Sequence, residues 1–410
     1  MRALSRIFIK NAAKGNGFAR RPFHGTCIDP TLTLTAEQQE IQRVASGFAK
    51  SEMAPHMRKW DDQCEFPLET LRKAANLGFG AIYAKEKYGG SGLSRFEASL
   101  IFEALAPGCV STTAFLSIHN MCAWMVDAYG SESLRAQWLP PFSSMDTAAS
   151  YCLTEPNSGS DAAALTTTAR LVGDYYLLNG SKAFISGAGA SGAYVVMCRT
   201  AEHRTKGISC LLVPGTSEGI HFGANEHKMG WKSQPTRTVT FEDCPVPKEN
   251  LLGAEGQGFN IALAGLNGGR INIASCSVGA AQASLEHAAH YQSTRRQFGE
   301  RLLDFQWNQF KLAEMAAKLV GSRLVVREAA RALDEGARHA ASLCALAKLR
   351  ATEDCFDVIN QALQMLGGYG YLKDHPIEQY LRDCRVHLIL EGTNEVMRMI
   401  VGREIAAAAE

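Results

Sequence analysis

The sequence predicts an α+β protein whose helices and strands occupy separate parts of the chain. Residues 35–148 are rich in helix formers, residues 149–254 carry short β-rich runs between turn residues, and residues 255–410 carry long amphipathic helical patterns. Separate runs of strands and helices are typical of folds that segregate the two. Because 410 residues exceed the size of one small core, we predict that these three ranges are separate domains.

The first 28 residues have a composition of their own. They hold six lysines and arginines and several large apolar residues, and no acid precedes Asp29. An acid-free, arginine-containing amphipathic segment is typical of a mitochondrial presequence, which we predict for residues 1–28. A disordered basic tail is the alternative, whereas a secretory signal is disfavoured because charges interrupt the apolar stretch.

The next two ranges differ in their local patterns. Residues 37–53, EQQEIQRVASGFAKSEM, are predicted to be helical, and the glycine-rich YGGSG at 88–92 interrupts the helical pattern. In the middle range, Asn179-Gly180 stands between two β-rich runs, which predicts a hairpin turn at that point. Further β-rich runs follow at residues 193–198, 208–213 and 238–241.

Two apolar stripes at helical spacing indicate long helices in the last range. One stripe runs from Leu312 to Leu333, and the other runs from Leu343 to Leu366 and ends at Gly367-Gly368. Paired glycines are common where helices stop. We therefore predict a C-terminal bundle of packed helices.

Composition excludes several classes of protein. The formal net charge is +1 and the body of the chain has no basic stripe, so no nucleic-acid partner is predicted. Apolar runs stay well short of the ~18 residues that a membrane helix needs. The 12 cysteines form no CxxC pair, so we predict buried free thiols rather than a metal site.

The segment GAGASG at 187–192 fits the letters of a dinucleotide-binding fingerprint. That fingerprint needs a strand before it and a helix after it, because the helix N-terminus holds the pyrophosphate. Here Ala193 opens another β-rich run, so we interpret the segment as a loop between strands. The chain also lacks the P-loop, HExxH and GxSxG motifs.

Residues 386–398, VHLILEGTNEVMR, contain two acids of different expected character. The apolar run before Glu391 would desolvate this carboxylate and raise its pKa from ~4.3 toward ~7, which suits a general base. Glu395 is expected in the first turn of a helix capped by Thr393. We expect Val396, Met399 and Ile400 on the buried face of that helix, and His387 as a hydrogen-bonded core histidine. For His119 and Asn120, pocket and packing roles both stay open.

The segments YCLTEPNSGSD (151–161) and SKAFISGAG (181–189) together resemble the TEPxxGSD signature and flavin-side strand of acyl-CoA dehydrogenases. Segments 267–281, 295–300 and 364–371 resemble further parts of that family. The resemblance implies an N-terminal helical domain, a middle β-barrel-like domain and a C-terminal helical bundle that bind FAD. Cofactor contacts are implied for Tyr151, Cys152, Leu153, Thr154, Ser160, Phe184, Ile185, Ser186, Arg295, Gln306, Gln364, Gly367, Gly368, Thr393, Asn394 and Glu395, and substrate contacts for Ser160, Asn267, Gly268, Gly269, Arg270 and Gly392. Arg295, Gln306, Gln364 and the two glycines would meet an FAD bound by a neighbouring subunit.

The resemblance also implies a reaction, in which a base removes the α-proton of an acyl-CoA thioester and hydride leaves Cβ for the flavin. Some branches carry the base just before the pocket arginine, where this chain has Gly269, so Glu391 is the expected base. Residues 101–125 and 230–247 resemble the branch that converts isobutyryl-CoA to methacrylyl-CoA in valine breakdown. Asn157 and Leu366 depart from the family pattern at positions away from the reacting centre.

The implied partners are an acyl-CoA substrate, electron-transfer flavoprotein and three further copies in a homotetramer, in the mitochondrial matrix. A dehydrogenase for 2-methylbutyryl-CoA or short straight-chain acyl-CoA is the nearest alternative. A peroxisomal oxidase would normally be longer and could end in Ser-Lys-Leu, whereas this chain ends in AAAAE. A non-enzymatic flavoprotein assembly factor would be expected to lack the base.

Overall fold

The structure is a computed structural model and describes residues 23–410. Most of the predicted leader, residues 1–22, therefore lies outside the described residues. The first helices pack into a layer whose apolar faces contact the C-terminal bundle. Their bounds are α1 Ala36–Phe48, α2 Met57–Gln63, α3 Leu68–Ala75, α4 Arg95–Leu105, α5 Val110–Tyr129 and α6 Glu132–Ser143.

The middle of the chain forms one branched sheet in which β6, β7, β3, β2, β4, β5 and β8 are neighbours in that order, while β1 pairs with β4 in parallel. Alternate residues of β4 and β5 fill cores on both faces of the sheet. The strands are β1 Ala149–Cys152, β2 Thr168–Val172, β3 Tyr175–Ser186, β4 Ala193–Arg199, β5 Ile208–Pro214, β6 Ile220–Phe222, β7 Thr236–Pro247 and β8 Leu251–Leu252.

The predicted hairpin at Asn179-Gly180 is wrong, because β3 runs straight through both residues. The turn lies earlier, at Gly173, whose φ of 61° suits the tight connection from β2 to β3. Asn179 instead exchanges side-chain and backbone hydrogen bonds with Asp243 of β7. A register shift between Leu178 and Gly180 marks a bulge, so the glycine serves a bend within one strand.

The C-terminal part is a bundle of long helices. The two predicted stripes lie on α8 and α9, and α9 ends just before the predicted glycine stop. Buried residues of α7, α8 and α9 form a continuous core with α1 and α4. The bounds are α7 Gly258–Thr294, the ribbon β9 Arg296–Gln297 and β10 Glu300–Arg301, α8 Gln306–Asp334, α9 Ala340–Met365, α10 Ile377–Arg385 and α11 Asn394–Ala409. We propose that the three domains span residues 35–148, 149–254 and 255–410.

Several smaller predictions can be compared with this fold. GAGASG does lie between two strands, β3 and β4. The cysteines are free thiols and most are buried as predicted, but Cys27 and Cys64 are exposed. On α11 Val396 and Ile400 pack against the buried Met397, as predicted for that face, whereas Met399 is 43% exposed, so the prediction was wrong for Met399. Across residues 23–410, none of the helices combines the length and hydropathy needed to cross a bilayer.

Asp383 of α10 joins the bundle to the middle domain and is fully buried. Its Oδ1 accepts a hydrogen bond from the backbone N–H of Trp231 at 2.6 Å, and its Oδ2 has no partner among the described residues. Burial raises the pKa of Asp383 from 3.8 to about 7, against the lowering effect of the Trp231 N–H. The folded protein therefore holds this proton over a pH range in which the unfolded chain has lost it.

This linkage gives a prediction for Asp383→Asn. Because the folded pKa is the higher one, Asp383 should lower the wild-type unfolding free energy by about 1.4 kcal/mol per pH unit as pH rises from about 4 to about 7. Asparagine does not titrate, so the unfolding free energy of the variant should rise relative to that of the wild type by a few kcal/mol between about pH 4 and about pH 7. Urea unfolding followed by circular dichroism at several pH values measures this gain. Exposed Asp374→Asn is the control, and parallel curves for Asp383→Asn and wild type would contradict the prediction.

Candidate active site

Glu391 and Gly392 form a left-handed turn between α10 and α11. The backbone φ is 56° at Glu391 and 88° at Gly392. Glycine adopts this conformation freely, but a glutamate in it costs about 1–3 kcal/mol and persists only where its surroundings fix it. The strain at Glu391 therefore directs attention to what holds the turn.

Helices on both sides hold the turn. Arg270 of α7 donates from Nε to the carbonyl oxygen of Glu391 at 3.2 Å, and Lys348 of α9 donates from Nζ to the carbonyl oxygen of Gly392 at 2.8 Å. Thr393 then caps α11 as predicted, because its Oγ1 accepts the N–H of Val396. Two buried cations and one helix cap thus fix the backbone on which the Glu391 carboxylate stands.

The Glu391 carboxylate is desolvated. Its Oε2 is buried and has no hydrogen-bond partner in the part of the chain that the structure describes. Burial raises the pKa of Glu391 to about 7, and the positive charges of Arg270 and Lys348 oppose this shift. A carboxyl group whose pKa lies near neutrality can accept a proton at physiological pH and hold it.

The carboxylate lies directly against the glycine pair of α7. A Cβ atom built on Gly269 would be 2.5 Å from Glu391 Oε2, so no residue larger than glycine fits there without moving the carboxylate. A Cβ atom on the adjacent Gly268 would be 2.4 Å from Nη1 of Arg95. The two glycines therefore leave the space that brings both polar groups to one short stretch of helix.

Arg95 was not identified from the sequence. Its guanidinium carbon lies 3.7 Å from the centre of the Tyr83 ring and 4.8 Å from that of Trp124, so two aromatic rings hold the group. Its buried Nη1 has no hydrogen-bond partner among residues 23–410, and the same is true of the hydroxyl of Tyr151. Unpaired buried polar groups are costly, which favours a ligand as their partner. No sequence motif marks Arg95, because its neighbours come from α5, α7 and the loop before α4.

The two segments that resemble flavin-binding parts of a known family lie side by side. The N–H of Ala183 donates to the carbonyl oxygen of Thr154 at 2.9 Å, and Ser150 Oγ donates to the carbonyl oxygen of Ser186 at 2.6 Å. Between these contacts Phe184 is 70% exposed and has a left-handed φ of 59°. A strained, exposed aromatic ring beside polar loop groups is a suitable surface for stacking a planar cofactor. Of the other residues predicted here, Cys152 and Ile185 are buried, whereas Ser160 is exposed.

A second candidate site is a cavity of about 620 Å³ between α7, α8 and the end of α9. Arg295, Gln364, Gly367 and Gly368 line it together with Tyr291, Trp307 and Tyr369, whereas Gln306 precedes Trp307 at the start of α8. Open space surrounds the position of a Cβ atom on either glycine. A basic group, amide groups and accessible backbone suit a phosphate-bearing ligand.

The remaining predicted residues surround the Glu391 turn. Asn267 accepts a hydrogen bond from Arg270 Nη1 at 2.9 Å, and the side chain of Asn394 is buried against Lys348 and Thr352. Only the backbone of Asn394 is therefore available to a cofactor, and contact there stays a prediction. Glu395 lies exposed in the first turn of α11, as predicted.

His387 and the two undecided residues, His119 and Asn120, belong to the core. His387 connects two parts of it, since its Nε2 accepts from Trp231 Nε1 and its Nδ1 lies 2.7 Å from Ser277 Oγ. His119 bonds the backbone of Phe142 and Ala149, and Asn120 bonds three backbone groups of its own domain. The prediction for His387 is confirmed, and packing accounts for the other two.

The fold has a helical domain, a β domain and a second helical domain in that order. Together with the desolvated carboxylate, this arrangement indicates an enzyme that uses a buried acid–base group. Models of the N-terminal, middle and C-terminal domains of acyl-CoA dehydrogenases match residues 35–146, 150–244 and 256–406. The chain belongs to the acyl-CoA dehydrogenase family, whose members are flavin-dependent oxidoreductases. The resemblance and the α+β fold predicted from the sequence are thereby confirmed.

Particular members of the family resemble this chain to different degrees. The chain is 58% identical to mitochondrial isobutyryl-CoA dehydrogenase of Bos taurus over 93% of its own length and 91% of the relative. It is 54% identical to the Dictyostelium discoideum protein of the same name over 94% and 93% of the two chains. The solved butyryl-CoA dehydrogenase of Megasphaera elsdenii superposes with a TM-score of 0.88 at 35% identity, covering 91% of this chain and 99% of that one.

Proposed function

We propose that this protein oxidises isobutyryl-CoA to methacrylyl-CoA, with Glu391 as the base and FAD as the cofactor. The observation that carries the proposal is the Glu391 carboxylate, whose Oε2 is buried, has no partner among residues 23–410 and lies against Gly269. The greater identity to the isobutyryl-CoA dehydrogenases than to the butyryl-CoA enzyme supports the branched substrate.

Proton removal is the step that this chain's own residues perform. With its pKa near 7, Glu391 is substantially ionised at neutral pH and is basic enough to take the α-proton of a bound thioester. The enolate that forms carries negative charge at the thioester oxygen. We propose that the backbone N–H of Glu391 donates to that oxygen, and the nearby charge of Arg270 stabilises the same developing charge.

The residues around Phe184 fit the isoalloxazine of FAD, because Phe184 offers a ring face and Thr154 and Ser186 bring polar groups beside it. When bound, the flavin supplies the acceptor for the hydride that leaves the substrate Cβ. Arg295, Gln364, Gly367 and Gly368 would hold the ADP part of an FAD bound to a neighbouring subunit. A cofactor divided in this way would need a second copy of the chain, and we propose the homotetramer that the family resemblance implies.

The acyl group would occupy the space bounded by the glycine pair, Arg95 and Tyr151. The charged guanidinium of Arg95 lies between two aromatic rings. A long apolar acyl chain packed against it would remove its remaining solvation, which is unfavourable. Short acyl groups, including 2-methylbutyryl and butyryl, are therefore the relevant competitors.

A panel of thioesters tests this proposal. With isobutyryl-CoA under anaerobic conditions the flavin absorbance should bleach, and kcat/KM should exceed that for butyryl- and 2-methylbutyryl-CoA by roughly tenfold or more. The 2-methylbutyryl group has one more methylene, a difference that changes specificity by about 10–200-fold, and butyryl is the straight-chain isomer, which fills a pocket of different shape. A preference for butyryl- or 2-methylbutyryl-CoA would replace the substrate while keeping the reaction. Absence of bleaching with every thioester would favour a non-enzymatic assembly role.

We further propose that the reduced enzyme passes its electrons to electron-transfer flavoprotein in the mitochondrial matrix. The composition of residues 1–28 and the mitochondrial location named for the Bos taurus and Dictyostelium discoideum relatives support this location.

A further inference from the structure

Lys348 is a buried cation that the proposed reaction does not use directly. It lies in the middle of α9, and its side chain is completely shielded from solvent. Lysine is almost never fully buried unless its charge has a partner. What Lys348 contacts should therefore explain why the position holds a cation.

Both hydrogen-bond acceptors of Lys348 belong to the segment that follows Glu391. Its Nζ lies 2.8 Å from the carbonyl oxygen of Gly392 and 2.7 Å from Oδ1 of Asn394. Asn394 is itself fixed, because its Nδ2 donates to Thr352 Oγ1 one turn further along α9. Lys348 thus connects the interior of α9 to the left-handed turn and to the start of α11.

These acceptors are neutral, which distinguishes Lys348 from an ordinary buried ion pair. A lysine kept only for packing could be replaced by an apolar residue of similar shape at little cost. Here the ammonium instead places a positive charge one peptide away from the desolvated carboxylate of Glu391. Arg270 does the same from α7 by bonding the preceding carbonyl group.

We propose that Lys348 is a positioning residue for Glu391, which holds the left-handed turn in place and whose charge sets the pH at which the carboxylate becomes a base. The inference deepens the proposed function and rests on Glu391 being the base. It assigns Lys348 two separable effects, one geometric and one electrostatic.

The electrostatic effect has a definite sign. The charge of Lys348 favours ionised Glu391 and lowers its pKa, against the larger effect of burial. Burial lowers the pKa of Lys348 itself to about 8, and the Glu391 carboxylate opposes that shift. Arg270, Glu353 and Glu395 shift the pKa of one or both members of this pair. The pair in turn shifts the pKa of three neighbouring groups, Tyr151, Cys122 and His387.

The test compares Lys348→Met and Lys348→Gln with the wild type in the flavin-loaded enzyme. Without the positive charge the pKa of Glu391 rises, so the ascending limb of kcat/KM against pH should move to higher pH by about one unit in both variants. Glutamine keeps a hydrogen-bond donor and should lose less than tenfold at the new optimum. Methionine also releases the turn and should lose tenfold to a hundredfold.

Lys228→Gln is the matched control. Lys228 also donates to two neutral oxygens, of Gln234 and Thr236, and burial lowers its pKa to about 8. Because it does not bond the 391–394 segment, its removal should leave the limb in place. Flavin content and the thermal unfolding midpoint of every variant show whether it is folded, and Lys348→Gln alone decides the question if the methionine variant does not fold.

The results separate this inference from the function on which it rests. If none of the acyl-CoA thioesters bleaches the flavin of the wild-type enzyme, the proposed function is overturned. If the wild type is active but the folded Lys348 variants keep the ascending limb of kcat/KM within about 0.3 pH units of the wild type, only the role proposed for Lys348 is overturned. A purely structural residue lowers the rate equally at every pH.

Discussion

Glu391→Gln is expected to abolish practical turnover while leaving the folded flavoprotein intact. Glutamine has nearly the shape of glutamate, so the turn and its contacts with Arg270 and Lys348 are retained, but the amide cannot take a proton. Removal of a general base lowers rates by about 10²–10⁴-fold, and the upper end is expected because Gly269 offers no alternative base. The variant should also be somewhat more stable to unfolding near pH 8, where wild-type Glu391 is buried and charged.

Anaerobic stopped-flow reduction by isobutyryl-CoA measures this effect directly. The Glu391→Gln enzyme should stay yellow over many wild-type half-times and should still contain one flavin per chain. Glu395→Gln is the contrasting variant, because that side chain is exposed and we expect any cofactor contact of Glu395 to come from its backbone. Its reduction rate should stay within about twofold of wild type, as for ordinary surface substitutions. Normal reduction of the Glu391→Gln flavin would place the base elsewhere.

Glu391 could be selected from the sequence because its signal is local. An apolar run before an acid predicts desolvation, and the family resemblance implies a competing base only at position 269, where this chain has glycine. The structure adds the physical cause of the choice, which is that the carboxylate occupies the space a side chain at 269 would need. The same locality made Thr393 predictable as a helix cap.

Arg95 and Lys348 were missed because their significance lies in contacts that span long sequence separations. Arg95 meets Trp124 and Gly268, and Lys348 meets residues more than 40 positions away. An isolated Arg or Lys within a helical sequence pattern indicates a solvated surface residue. Only the fold shows that Arg95 and Lys348 are buried. The hairpin error has a related origin, since the neighbouring strand β7 carries β3 through the Asn-Gly pair and overrides its local turn preference.

The glycine requirement at position 269 leads to the second large expected effect. Gly269→Ala should lower kcat/KM for isobutyryl-CoA by about a hundredfold, because the new methyl group would lie 2.5–2.8 Å from all three carboxyl atoms of Glu391. A displacement of about 1 Å is enough for such a loss in a positioned catalyst. Stability should not fall in parallel, since alanine in a helix interior is favoured over glycine by up to about 1 kcal/mol.

Gly321→Ala separates the clash from the change in helix propensity. Gly321 also lies inside a long helix, α8, but a Cβ atom there meets nothing within 4 Å, so activity should be unchanged and stability slightly higher. The double variant Gly269→Ala/Glu391→Asp provides a second check, because the shorter side chain withdraws the carboxylate from the methyl group. Its loss should be clearly smaller than the product of the two single losses, as expected for residues in contact. Independent losses, or full activity of Gly269→Ala, would show that the carboxylate works from a position away from α7, and the assignment of the glycine pair as the floor of the acyl site would then be wrong.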